Sequence, residues 1–230
     1  MNDTSNIPVL TIDGPSGVGK GTAAVRIARL RNWHYLDSGA LYRALAVAAR
    51  QQHVTVGDGA AIAEVASQLS IACELNEMGD GCTIFLNSED VTAQVRTESV
   101  AAEASVIAAS REARAALLLQ QRAQCQWPGL VADGRDMGRM VFPQALLKIF
   151  LVADARIRAK RRYKQLKAKG FDGSLPDLVF ALQQRDTRDT DRAASPLLPA
   201  GDAVVIDTSE MSIEAVVSDI NRRLGNRLSN

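Results

Sequence analysis

Val9-Leu10-Thr11-Ile12-Asp13-Gly14-Pro15-Ser16-Gly17-Val18-Gly19-Lys20-Gly21-Thr22 decides the fold. Val9–Ile12 is a short apolar, β-branched run that stops at Asp13-Gly14, the pattern of a buried strand, and Thr22–Arg31 resumes with helical spacing. Between them lies a glycine-rich loop. A polyphosphate needs backbone N–H groups converging on it, which bulky side chains obstruct, and the following helix N-terminus adds positive potential. Gly14, Pro15, Ser16, Gly17, Val18, Gly19, Lys20, Gly21 and Thr22 therefore form a nucleotide-phosphate loop. Lys20 reaches the β- and γ-phosphates, and the Thr22 hydroxyl lies near Mg²⁺ or the α-phosphate. The pattern G-x-x-x-x-G-K-[ST] holds through Lys20 and then departs, with Gly21 in the Ser/Thr position and Thr22 one later.

Working outward, Trp33–Leu36, Leu130–Ala132, Leu147–Val152 and Ala203–Ile206 repeat the short apolar strand signal. Helical patterns at Ala40–Gln52, Arg156–Lys169 and Ile213–Leu224 alternate with them. The reading is an α/β fold with a five-stranded parallel sheet flanked by helices. Residues 53–115 break the rhythm: a helix at Gly59–Leu69, then strands Ile71–Leu75 and Thr83–Leu86 around a turn at Asn76–Gly81, a hairpin signal. Ala101–Gln124 reads as one or two helices leading back. A second, charge-dense excursion spans Arg156–Arg192, with a Gly-Phe-Asp-Gly-Ser-Leu-Pro break at 170–176. The economical organisation is one domain, with a core at about 1–52, 116–154 and 196–230, an insertion at 53–115 and a helical lid at 155–195.

Composition narrows the function. The 230 residues carry 27 Lys+Arg against 26 Asp+Glu, only two His (His34 and His53) and 4% aromatics. A general polyanion binder shows a cationic excess, and a base-stacking module needs aromatic platforms, so nucleic acid is disfavoured as a partner. Cys73, Cys82 and Cys125 make no metal-ligand spacing and read as reduced thiols. The N-terminal stretch lacks a secretory signal's pattern, and no apolar run is long enough for a membrane span. A soluble, cytoplasmic protein is expected.

The acceptor of a transferred phosphoryl group sets the remaining requirements. A hydroxyl acceptor needs a base to take its proton; a phosphate monoester, with a second pKa of ~6, arrives largely deprotonated and needs arginines and Mg²⁺ instead. Three clusters supply them. Asp37-Ser38-Gly39-Ala40-Leu41-Tyr42-Arg43 joins a strand end to a helix start, where Asp37 or Ser38 can cap the helix and Ser38, Tyr42 and Arg43 face the ligand edge. Asp133-Gly134-Arg135-Asp136 ends the third strand: Asp133 suits the Mg²⁺ hydration shell, Arg135 a phosphate, Asp136 an exocyclic amine. In the third, Arg185, Arg188, Asp189 and Arg192 share one helical face by the i, i+3, i+4, i+7 rule, forming a lid that excludes water. Arg158, Arg161 and Arg162 on the preceding helix either contribute or are solvated.

Gly-Pro-Ser-Gly-Val-Gly-Lys-Gly-Thr, Leu-Asp-Ser-Gly-Ala-Leu-Tyr-Arg, Asp-Gly-Arg-Asp-Met-Gly and Arg-Asp-x-Arg-Asp-x-x-Arg, in this order, closely resemble the bacterial cytidylate kinases, P-loop nucleoside monophosphate kinases of pyrimidine nucleotide metabolism. The resemblance implies transfer of the γ-phosphoryl group of ATP to CMP or dCMP, with Mg²⁺ bound mainly through nucleotide phosphates and water rather than by protein ligands. It implies that 53–115 is a monophosphate-binding insertion. It places Ser38, Arg43 and Arg135 on the acceptor phosphate, Ser105, Arg114 and Asp136 around the cytosine, and Arg185, Asp189 and Arg192 against sugar and phosphates. Lys20, Asp133, Arg135, Arg185 and Arg192 are then the catalytic set, Tyr42 joins the acceptor site, and Arg161 joins the ATP site. Ser105 and Arg114 rest on the resemblance alone, since on an Ala-rich helix they pass as ordinary polar positions. A monomer is the default expectation. The competing readings are a kinase for another small acceptor (AMP, GMP or a metabolite hydroxyl), a nucleotide-dependent switch, and a nucleic-acid module using helix 156–169.

Overall fold

The computed structural model describes residues 7–76, 81–167 and 174–229. The chain runs β1 (Val9–Asp13), α1 (Lys20–Arg31), β2 (His34–Asp37) and α2 (Ser38–Gln51) before the first excursion. That excursion holds α3 (Gly59–Ser67), β3 (Ile71–Leu75), β4 (Cys82–Leu86), β5 (Glu89–Asp90), α4 (Thr92–Val95), α5 (Glu98–Ile107) and α6 (Arg111–Ala123). The chain returns through β6 (Leu130–Gly134), one turn of π-helix (Met137–Val141) and β7 (Leu147–Val152). The second excursion is α7 (Ala155–Lys167) and α8 (Leu175–Asp191), and β8 (Val204–Asp207) and α9 (Ile213–Leu228) follow.

The five strands order as β2-β6-β1-β7-β8, all parallel. Every residue of β1 is buried, with Leu10 and Ile12 wholly inaccessible, because helices cover both faces and the strand has no solvent side to reserve for polar residues. Helix α1 lies against this sheet through Ala23, Ala24, Ile27 and Ala28, small side chains that allow close approach. Truncating Leu10, wholly buried in this core, to Ala would cost ~2–5 kcal/mol. In the register, Asp13 is opposite Gly134 and Asp37 opposite Asp133. The carboxyl ends of β1, β2 and β6 thus finish at one edge, where open α/β sheets bind ligands.

The insertion differs from the sequence expectation in detail. Strands β3 and β4 pair antiparallel, but Glu89–Asp90 adds a third strand to their sheet. The returning segment is three helices, starting at Thr92, because Thr97 and Ser110 accept from the backbone N–H groups of Val100 and Ala113 and restart the helix each time. Of the expected turn at Asn76–Gly81, residues 77–80 lie outside the described residues. So do 168–169 of the second helical pattern and 170–173 of the Gly-rich break. Helix α8 then begins at a Ser174 N-cap with Pro176 in its first turn.

Candidate active site

The phosphate loop is held by its own glycines and by α7. Gly14 has φ +147°, and a Cβ there would stand 2.3 Å from the Leu151 carbonyl oxygen of β7, so only glycine fits. Arg158 backs the loop: its guanidinium donates to the carbonyls of Ser16 (3.0 Å) and Ala153 (3.0 Å) and pairs with Asp186 at 2.6 Å. Lys20 donates to the Pro15 carbonyl at 3.3 Å and lies 3.9 Å from Asp133 Oδ1. Burial, reinforced by Arg135 and opposed by Asp133, pushes the Lys20 ammonium down to about 8. Burial likewise raises Asp133 to about 6, with Lys20 acting against it.

Gly21 now has a reason. A Cβ at that position would lie 3.0 Å from Asp133 Oδ2, the oxygen that also accepts from the Tyr35 hydroxyl at 3.4 Å. The space that a Ser or Thr would fill in the common loop is taken by a carboxylate from β6. The other oxygen, Asp133 Oδ1, is buried with no hydrogen-bond partner. A carboxylate oxygen beside the phosphate loop, facing Lys20 at 3.9 Å but accepting no hydrogen bond, fits a hydrated Mg²⁺. Among the described residues no cluster of three or more His, Cys, Asp or Glu could hold a metal directly.

Ser38, Tyr42, Ser105, Arg114, Arg135, Asp136, Arg185, Asp189 and Arg192 line one cleft. Its parts come from four places: the start of α2, the α5–α6 pair, the end of β6, and α8 with its C-cap. Ser38 and Tyr42 open α2, where Asp37 takes the N-cap by accepting from the Ala40 N–H at 2.9 Å, leaving the Ser38 hydroxyl free to bond elsewhere. Ser105 comes from α5 and Arg114 from α6. The Arg114 guanidinium pairs with Asp136 Oδ2 and sits 6.0 Å over the Tyr42 ring. Arg135 donates through Nη1 to the adjacent Gly134 carbonyl at 3.2 Å, through Nε to Asp189 of α8 at 2.9 Å and through Nη2 to the Ser16 hydroxyl at 3.4 Å. Several polar atoms in and beside this cleft are buried without partners: Ser105 Oγ, Arg185 Nε, Arg192 Nη2 and Arg43 Nε. Burial lowers Arg185 to about 9, with Arg135 and Arg43 adding like-charge repulsion. Unpaired donors and crowded cations are what an anion would relieve.

Three expected placements differ. Arg188 is exposed, because a stripe centred on Arg185 and Asp189 leaves it 60° and 100° away at 3.6 residues per turn. Arg192 lies past the helix end, an extended C-cap residue rather than a fourth residue on the face. Arg43 lines a neighbouring cavity with Gly21, Thr22 and Asp37, its Nη1 donating to the Val95 carbonyl at 3.3 Å. Arg161 lies on a separate cleft beside Gly17, Val18, Gly19 and Thr22, where the Thr208 carbonyl accepts from it at 2.6 Å. Arg162 pairs with Glu98, joining α7 to α5.

A glycine-rich phosphate loop and an arginine-lined cleft stand at the same end of the sheet. The cytidylate kinase pattern matches residues 10–225. The chain belongs to the cytidylate kinase family. Similar relatives include the cytidylate kinases of Pseudomonas savastanoi pv. phaseolicola, 54% identical over 213 residues (93% of each chain), and Stutzerimonas stutzeri, 50% identical over 221 residues (96% of each). Among solved structures, a gluconokinase from Sinorhizobium meliloti 1021 aligns with a TM-score of 0.48 and 14% identity, covering 95% of this chain and 92% of that one. With membership comes the activity, phosphorylation of CMP by ATP.

Residues with little or no signal in the sequence also support the cleft. Gln121 of α6 is buried and accepts from the Ser38 hydroxyl at 3.0 Å. Asp13 accepts from the N–H groups of Met137 (2.8 Å) and Gly138 (2.9 Å), fixing the loop that presents Asp136. Ser195 donates to Asp136 Oδ2. A Gln on the apolar side of a helix was the available signal for Gln121; Asp13 and Ser195 gave none, since each acts on a partner distant in sequence.

Proposed function

We propose that this chain transfers the γ-phosphoryl group of ATP in line to the phosphate of CMP or dCMP, with arginine and Mg²⁺ charge stabilisation and no general base. The observation that carries the reading is the cleft in which Asp136 and Arg114 stand beside Ser105, with Arg135, Arg185 and Arg192 lining the same space. Cytosine offers an amine donor beside ring-nitrogen and carbonyl acceptors, so a carboxylate with an arginine and a hydroxyl is complementary to it. The acceptor phosphate is already ionised, so its nucleophilic oxygen needs no proton removed. It needs repulsion from ATP cancelled, which Lys20 and the three arginines supply. Neither His34 nor His53 lines the cleft.

Asp133, through its buried Oδ1, would meet the hydration shell of Mg²⁺ carried in on the nucleotide phosphates, and the ion would supply neutralisation of phosphate charge. The cleft leaves about 50 Å³ of free volume, room for a few waters and not for a nucleotide. In this reading the helices of 155–195 open to admit CMP and close to exclude water, which would otherwise accept the phosphoryl group. The insertion at 53–115 supplies Ser105 and Arg114 to the base. Arg161 and the cleft by Gly19 and Thr22 hold the ATP side. A cytoplasmic location and a monomeric state go with the reading; among the described residues no helix is long and apolar enough to cross a membrane. The test is Asp136→Ala: CMP turnover should fall far more than ATP affinity, and equal loss of both would make Asp136 structural.

A further inference from the structure

Just beyond α8, Ser195 occupies the left-handed region at φ 62°, a conformation an L-residue other than glycine holds only when its surroundings fix it. Those surroundings are specific. Its hydroxyl donates to Asp136 Oδ2 and its carbonyl accepts from Arg192 Nε. The two residues that follow are also tied: the Pro196 carbonyl accepts from Arg139 Nη1 at 3.3 Å, and the Leu197 N–H donates to the Asp189 carbonyl at 2.8 Å. A strap of three residues therefore stitches the end of the lid to the loop carrying Asp136. Arg114 pairs with the same Asp136 oxygen. Two donors from two different segments converge on Oδ2, and together they fix how the carboxylate is turned.

We propose that Ser195 is a positioning residue for base selectivity. Its hydroxyl and Arg114 hold Oδ2, so that the remaining oxygen of Asp136 accepts the exocyclic amine of cytosine. Because Ser195 belongs to the lid strap, the carboxylate receives its second donor only when the lid is in place, which links the reading of the base to closure over the phosphates. The inference rests on the reading of Asp136 as the base-contacting carboxylate. Uracil presents a carbonyl where cytosine presents the amine, and an aligned carboxylate gains nothing from it.

The experiment measures kcat/KM for CMP and UMP in wild type, Ser195→Ala, Ser195→Gly, Asp136→Asn and the Ser195→Ala/Asp136→Asn double variant. Ser195→Ala should lower kcat/KM for CMP about ten-fold, the scale of one hydrogen bond to a charged group, and shrink the CMP-over-UMP preference by the same factor. Ser195→Gly removes the hydroxyl while relieving the backbone, so it should show the same loss of preference without a stability penalty. In the Asp136→Asn background Ser195→Ala should change the preference no further, since the two act as one unit. Equal losses for CMP and UMP in both Ser195 variants would overturn the proposal and leave Ser195 a purely structural residue. An unchanged preference in Asp136→Asn itself would overturn the base reading, a failure separable from the first.

Discussion

Adding one methyl group at Gly21 probes how this loop differs from the common one. In Gly21→Ala the new Cβ stands 3.0 Å from Asp133 Oδ2 and 3.9 Å from the Tyr35 hydroxyl. Two effects of opposite sign compete. Residue 21 is in the first turn of α1, where Ala is favoured over Gly by up to ~1 kcal/mol. Overpacking a buried site costs ~1–3 kcal/mol, and this site relaxes poorly. Asp133 sits on β6, paired on one side with β1 and on the other with β2, and its side chain is buried. The carboxylate must turn away, and the clash prevails: a net loss of about 1 kcal/mol is expected in urea unfolding. The rate should suffer more, about ten-fold in kcat/KM for ATP, because Asp133 would be displaced from its place beside Lys20 and the phosphate loop. A variant at least as stable as wild type with undiminished kcat/KM would refute the idea that Gly21 exists to make room for Asp133.

The pH dependence of kcat/KM for ATP should be bell-shaped: activity needs Asp133 ionised, so it falls as pH drops through about 6, and needs Lys20 protonated, so it falls as pH rises through about 8. A profile flat from pH 5.5 to 9 contradicts those roles. Lys20→Ala should slow single-turnover phosphoryl transfer about a hundred-fold or more, and an unchanged rate would sink the phosphate-loop reading. Gln121→Leu strips the Ser38 hydroxyl of its acceptor in a buried site; the KM for CMP should rise five- to ten-fold, about 1 kcal/mol, with the KM for ATP unmoved. A rise in both constants would mean that Gln121 supports the fold as a whole.

What could be read in the sequence was local. The run from Val9 to Thr22 spells strand, loop and helix in consecutive residues, and the alternation of apolar runs with helical patterns implies the parallel sheet before any contact is known. The arginines of the lid were visible as a cluster, but their division of labour was not. Arg185 and Asp189 turn inward, Arg188 outward, and Arg192 leaves the helix, all decided by where α8 ends and what it packs on. The oddity at Gly21 could be noticed but not explained, because its cause is a carboxylate on a strand far along the chain. Gln121, Asp13 and Ser195 share that difficulty: each supports a functional side chain across the fold, and neither composition nor periodicity encodes such pairings.

The central claim is that CMP and dCMP receive the phosphoryl group from ATP in a site that reads the base through Asp136. A coupled ADP-release assay with ATP, Mg²⁺ and a panel of nucleoside monophosphates tests it most directly. CMP and dCMP should release ADP well above buffer and above UMP, AMP and GMP, with CDP or dCDP as the other product. ADP release with AMP or GMP, and none above buffer with CMP or dCMP, would contradict the account.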